Sequence, residues 1–158
     1  MTAGTVQNKQ RAARVLLVED NHGDVILTKR AFKDARIANE MTVATTGEEA
    51  LRMLQQDGEY VAIALPDLVL LDLNLPVMSG QDVLQAVKGD ARLKHIPVVI
   101  LSSSHAERDV VRSYNLHANG YVVKPVNLGN FSEVARKLEQ FWFTLVVMPD
   151  QDDVRNVS

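Results

Sequence analysis

Cysteine is absent from the 158 residues, which removes disulfides, thiolate nucleophiles and zinc–thiolate sites together. That absence fits a reducing compartment, and a cytoplasmic location is expected. Long apolar runs are missing as well: no stretch approaches the roughly 18 residues that a membrane span needs. Nor is there an excess of basic charge. Lys plus Arg number 17 against 20 for Asp plus Glu, a formal balance of −3, so the clustered positive surface of a nucleic-acid binder is not expected. Aromatic residues are only 5% of the chain, yet 46% hydrophobic and 23% charged residues suffice for a packed core.

The length suits one domain and is short for two well-built cores. Residues 1–13 are polar, lack the apolar region of a signal peptide and are expected to form a disordered lead. Residues 14–148 are expected to form the globular domain, and residues 149–158 a polar stub.

Within that domain, short apolar runs alternate with amphipathic stretches. Arg14–Glu19, Glu40–Thr45, Asp67–Asp72, Pro97–Ser102 and Gly120–Val123 read as strands, each bounded by turn-forming residues. Between them lie helical patterns. Asp24 reads as the N-cap of the first, with Leu27, Ala31, Phe32 and Ala35 on its buried side. The others run from Thr46 to about Gln56, Gly80 to Val87 and Ala106 to Asn115, and a final one is capped by Asn127. Such alternation predicts a parallel sheet covered on both faces, with every βα loop at the carboxyl edge. Ligands bind at that edge, where the strand order reverses.

The residues at the predicted strand ends are Glu19-Asp20, Asp72-Leu73-Asn74, Ser102 and Lys124-Pro125. If the first and third strands are neighbours, three carboxylates crowd together, and a cation is needed to offset their repulsion. The donors are all oxygens, so a hard ion such as Mg²⁺ or Mn²⁺ is the chemical match. The histidines His22, His95, His105 and His117 are scattered and read as surface residues rather than ligands.

VLLVEDN (15–21), LVLLDLNLPVMSG (68–80), PVVILSSS (97–104) and NGYVVKPV (119–126), in this order and spacing, resemble the receiver domain of two-component response regulators over about 14–143. The resemblance implies a flavodoxin-like five-stranded parallel sheet of order 2-1-3-4-5. It implies Asp72 as the phosphoacceptor for a sensor histidine kinase. Asp20, Asp72 and the carbonyl of Asn74 would hold Mg²⁺ (Mn²⁺ as the alternative), with Glu19 acting through water. Lys124 and Ser102 would bind the phosphoryl group, the turn at Pro125 would aim the lysine, and Tyr121 with Ser102 would form the switch. The pattern departs from the commonest one by Ser102 for threonine, which keeps the hydroxyl, and by Ser103 for a small alanine, which bears on access to the phosphoryl group.

VEDNHGDVILTKRAF (18–32), the long 60–66 connection and the FWF of 141–143 resemble, more narrowly, the small response regulators paired with cyanobacterial and bacterial phytochromes. A light-regulated kinase is therefore the implied donor. Phe143, Val146 and Val147 fall off the helical face of Leu138, Phe141, Trp142 and Leu145. Exposed apolar groups there suit either kinase docking or a homodimer, and a dimer through Trp142, Phe143, Val146 and Val147 is expected. No output module is expected after Met148. An unphosphorylated pseudo-receiver serving as a dimeric scaffold is the competing reading. A dehalogenase-type phosphatase would need a second acid where Asn74 stands, and a flavodoxin phosphate loop would be repelled by Glu19-Asp20. A catalytic-turnover enzyme is not expected.

Overall fold

The computed structural model describes residues 11–103, 118–133 and 136. The expected helix at 106–115 and the surface of Trp142, Phe143, Val146 and Val147 lie outside the described residues. In chain order the elements are β1 (Ala13–Val18), α1 (His22–Asp34), β2 (Asn39–Ala44), α2 (Gly47–Leu54), a 3₁₀ turn (Gly58–Tyr60), β3 (Leu68–Asp72), α3 (Gly80–Lys88), β4 (Val98–Ser102) and β5 (Gly120–Val123). The strands form one parallel sheet of order β2-β1-β3-β4-β5, the flavodoxin-like order. Among the described residues, no helix is long and apolar enough to cross a membrane.

Strand periodicity decides which side chain goes where, since successive residues point to opposite faces. Leu16, Val18, Val69, Leu71, Val98 and Ile100 join Ala50 and Leu54 of α2 and Val83, Leu84 and Val87 of α3 in one core. Val15, Leu17, Leu68, Leu70, Val99 and Leu101 join Val25, Ala31 and Phe32 of α1, together with Phe131, in the other. The rings of Phe32 and Phe131 lie 4.9 Å apart between centroids. β3 and β4 are buried throughout, which explains why they read as continuous apolar runs.

Two sequence expectations for α1 are corrected. The N-cap is Asn21, not Asp24: the Asp24 N–H donates to Asn21 Oδ1 at 2.9 Å, and Asn21 has the extended backbone of a cap. The buried stripe runs through Val25, Thr28, Ala31 and Phe32, leaving Leu27 38% exposed. Thr28 tolerates this burial because its hydroxyl donates to Asp24 O at 2.8 Å. By contrast, Asn127 caps the last helix as expected, accepting from Asn130 N at 2.9 Å.

The carboxyl edge is pinned by a close approach. Gly80 N donates to Leu73 O at 3.1 Å, and a Cβ at residue 80 would lie 2.7 Å from Leu73 Cα and closer still to the Asp72 carbonyl oxygen. Backbone cannot retreat as a flexible side chain would. Gly80→Ala is therefore expected to destabilise the fold by about 2 kcal/mol, read as a lower urea midpoint at an unchanged m-value.

Candidate functional site

Backbone bonds carry the sheet one residue past the strand ends that bear the site. Glu19 N donates to Ala44 O at 2.9 Å, Leu73 N to Leu101 O at 3.1 Å and Lys124 N to Ser102 O at 2.8 Å. β1 and β3 are neighbours, so the condition set from sequence is met. Their ends flank the point at which strand order reverses, where this fold places ligands.

Glu19, Asp20 and Asp72 each offer a carboxylate oxygen, all within 4.8 Å of one another. Glu19 and Asp72 are buried, and Asp20 is exposed. Glu19 Oε2 accepts from Asn21 N at 3.2 Å, and Asp72 Oδ1 from Asn74 N at 2.9 Å. Lys124 Nζ donates to Asp72 Oδ2 at 3.0 Å and to Asp24 Oδ2 at 2.9 Å. It also lies 2.9 Å from Glu19 Oε1, a charge contact to a buried oxygen that has no hydrogen-bond partner.

The electrostatics follow from this crowding. Burial, and then the adjacent Asp72 carboxylate, push Glu19 up to about 7 against the pull of Lys124 and the Asn21 N–H. Burial alone would lower the Lys124 ammonium; contact with Glu19, Asp24 and Asp72 outweighs it and holds the lysine well above its ordinary range. One ammonium facing this many carboxylates leaves negative charge to be offset. The donor set is oxygen only, and one buried oxygen lacks a hydrogen bond. A hard dication of the Mg²⁺ or Mn²⁺ kind fits these residues.

Most residues singled out from sequence stand together here. Ser102 is buried at the end of β4, beside Asp72 in the strand order. Asn74 Nδ2 donates to Ser103 Oγ at 3.1 Å, linking the loops after β3 and β4. The Lys124–Pro125 peptide is cis. Tyr121 pairs in register with Ile100 and packs, half-buried, on the core between the sheet and α2–α3. His22 and His95 are exposed, as expected, and His105 and His117 lie outside the described residues. Sequence reasoning missed Asp24 as a site residue. Once Asn21 is seen as the cap, Asp24 becomes the third residue of α1, in the turn beside the sheet's carboxyl edge.

Fold and site define an α/β domain with a cluster of carboxylates and one lysine at the carboxyl edge of its sheet. The chain belongs to the response regulator receiver domain family, whose model matches residues 15–136. It is 42% identical to the response regulator Rcp1 of Synechocystis sp. over 135 residues, covering 85% of this chain and 92% of that protein. A solved Mn²⁺-bound form of Rcp1 superposes with a TM-score of 0.68, covering 82% of this chain and 94% of that one. The bacteriophytochrome response regulator AtBRR is 47% identical at a TM-score of 0.76, covering 84% and 96% of the two chains. The phosphorylated cyanobacterial phytochrome response regulator RcpA is 41% identical at 0.71, covering 85% and 96%.

Removing the ammonium leaves the acids facing one another. Lys124→Met is expected to lower stability in EDTA by about 3 kcal/mol, with a large part regained in millimolar MgCl₂. Urea unfolding in the two buffers measures both effects.

Proposed function

We propose that this protein is a response regulator that accepts a phosphoryl group on Asp72 from a sensor histidine kinase of the phytochrome type. The observation that carries this reading is the Asp72 carboxylate itself. It is buried at the end of the central strand, fixed through one oxygen by Asn74 N and through the other by Lys124, beside Glu19 and Asp20. In the transfer, an Asp72 oxygen forms a bond to phosphorus as the donor's N–P bond breaks, and the electron pair leaves on the imidazole nitrogen. Such transfers are loose, so positioning and charge supply most of the rate.

Asp20, Asp72 and the Asn74 carbonyl would hold Mg²⁺, with Mn²⁺ able to replace it, and Glu19 would act through a bound water. The ion, when present, offsets charge on the phosphoryl oxygens. The Mn²⁺-bound form of Rcp1 supports this assignment by similarity. Lys124 and Ser102 meet the remaining phosphoryl oxygens, and movement of Ser102 toward the phosphoryl group lets Tyr121 turn inward, which alters the surface that partners read. The named phytochrome response regulators support the choice of kinase.

In this reading the domain spans 14–148, is cytoplasmic, turns over no substrate and forms a homodimer through Trp142, Phe143, Val146 and Val147. Intact-mass measurement after incubation with acetyl phosphate and Mg²⁺ should show one added phosphoryl group. The gain should vanish in Asp72→Asn and with EDTA, and its rate should fall about a hundredfold in Ser102→Ala. A folded, Mg²⁺-binding protein that never gains the group is the scaffold described above as the competing reading. Sedimentation should give the mass of two chains, and Phe143→Asp with Val147→Asp should give one.

A further inference from the structure

We propose that Asp24 is a positioning residue that parks Lys124 in the unmodified protein and gives it up when Asp72 carries a phosphoryl group. The inference rests on the proposed phosphorylation of Asp72 and concerns regulation of that same site. Lys124 Nζ lies at 2.9, 2.9 and 3.0 Å from Glu19 Oε1, Asp24 Oδ2 and Asp72 Oδ2. Two of the ammonium's three protons are donated to Asp24 and Asp72, and the Glu19 oxygen is held by charge at contact distance, so a newcomer must compete with all three carboxylates. A phosphoryl oxygen on Asp72 therefore draws Lys124 away from one of these carboxylates.

The three acceptors are not equally easy to displace. The Glu19 side chain is fully buried, so losing the ammonium would leave an uncompensated charge out of water. Asp72 is the group being modified and brings the phosphoryl oxygens to the lysine. The Asp24 side chain is 24% exposed, so water can replace the ammonium there at low cost. It also stands in the first turn of α1, where the helix dipole steadies a carboxylate without a counter-ion. Because Asn21 caps the helix through the Asp24 N–H, the Asp24 side chain has no capping duty to abandon. Asp24 is thus the acceptor that lets go. Its hold on Lys124 favours the unmodified state, and the charge it adds opposes an incoming anionic phosphoryl group.

The direction of the effect separates parking from bracing. A residue that merely braces Lys124 in its working position weakens phosphoryl binding when removed, whereas a parking residue strengthens it. Titrate beryllofluoride, a phosphoryl mimic, into the full chain at saturating Mg²⁺, following ¹⁹F NMR, at 0.1 M and 1 M NaCl. Asp24→Asn is expected to bind the mimic about fivefold more tightly than wild type. Asp24→Ala is expected to do the same, which guards against a folding defect in either variant. The gain should persist at 1 M salt, since contact pairs in partly buried sites are screened far less than distant charges. Equal affinity, weaker binding or a gain abolished by salt overturns the parking role while leaving the Asp72 reading intact. Failure of wild type to take up the mimic defeats that reading, and the parking role with it.

Discussion

One lysine ammonium set among carboxylates is the constraint on which the rest of the structure depends. Two charges about 3 Å apart interact strongly once water is excluded, and Glu19 and Asp72 are both buried at the end of the sheet. Without Lys124 the like charges would drive the strand ends apart or force protonation. With it, the deficit is reduced and not abolished, and this is the condition under which a divalent cation is attracted. The partial shortfall is already visible in Glu19, which burial and the neighbouring Asp72 push to about 7.

The sheet makes this arrangement affordable. Every strand that contributes a site residue is backed by packed apolar side chains, and β3 and β4 are buried along their whole length. The bonds from Leu73 N to Leu101 O and from Lys124 N to Ser102 O carry the sheet's order beyond its last residues. Positional precision at the acids is thus inherited from the core rather than built by the loops. The loops add links of their own, such as Asn74 to Ser103, which lie at the rim.

Much of this was legible in the chain, for identifiable reasons. β3 and β4 announced themselves because burial on both faces demands unbroken apolar runs such as Leu68–Leu71 and Val98–Leu101. The site acids could be found because parallel topology sends every strand end to one edge, so Glu19, Asp20, Asp72, Ser102 and Lys124 required only the strand positions. The start of α1 was harder. Asn21 and Asp24 are both good capping residues, and propensity does not choose between them. That ambiguity hid the role of Asp24, because a cap and a lysine partner use the same side chain. Leu27 misled in a similar way: apolar character pointed it inward, but Thr28 can be buried by bonding its hydroxyl to the preceding turn. The lysine contacts depend on side-chain reach across three elements, which no local pattern encodes.

The loop after Asp72 shows how tightly fold and site are bound together. Val77 has φ of 66°, and Met78 N donates to Pro76 O at 2.7 Å, which closes a γ-turn around a β-branched residue that strongly disfavours this conformation. Nothing about the Val77 side chain repays the strain, since it is fully exposed. The conformation persists because the chain that follows it is fixed at two points. Gly80 is pressed against the backbone of Asp72 and Leu73. Met78 lies over Gly47, where a Cβ would come within 3.2 Å of it. Strain of this kind costs on the order of 1–3 kcal/mol and survives only where the surroundings over-determine it. Here the loop must leave β3 and enter α3 within seven intervening residues, 73–79.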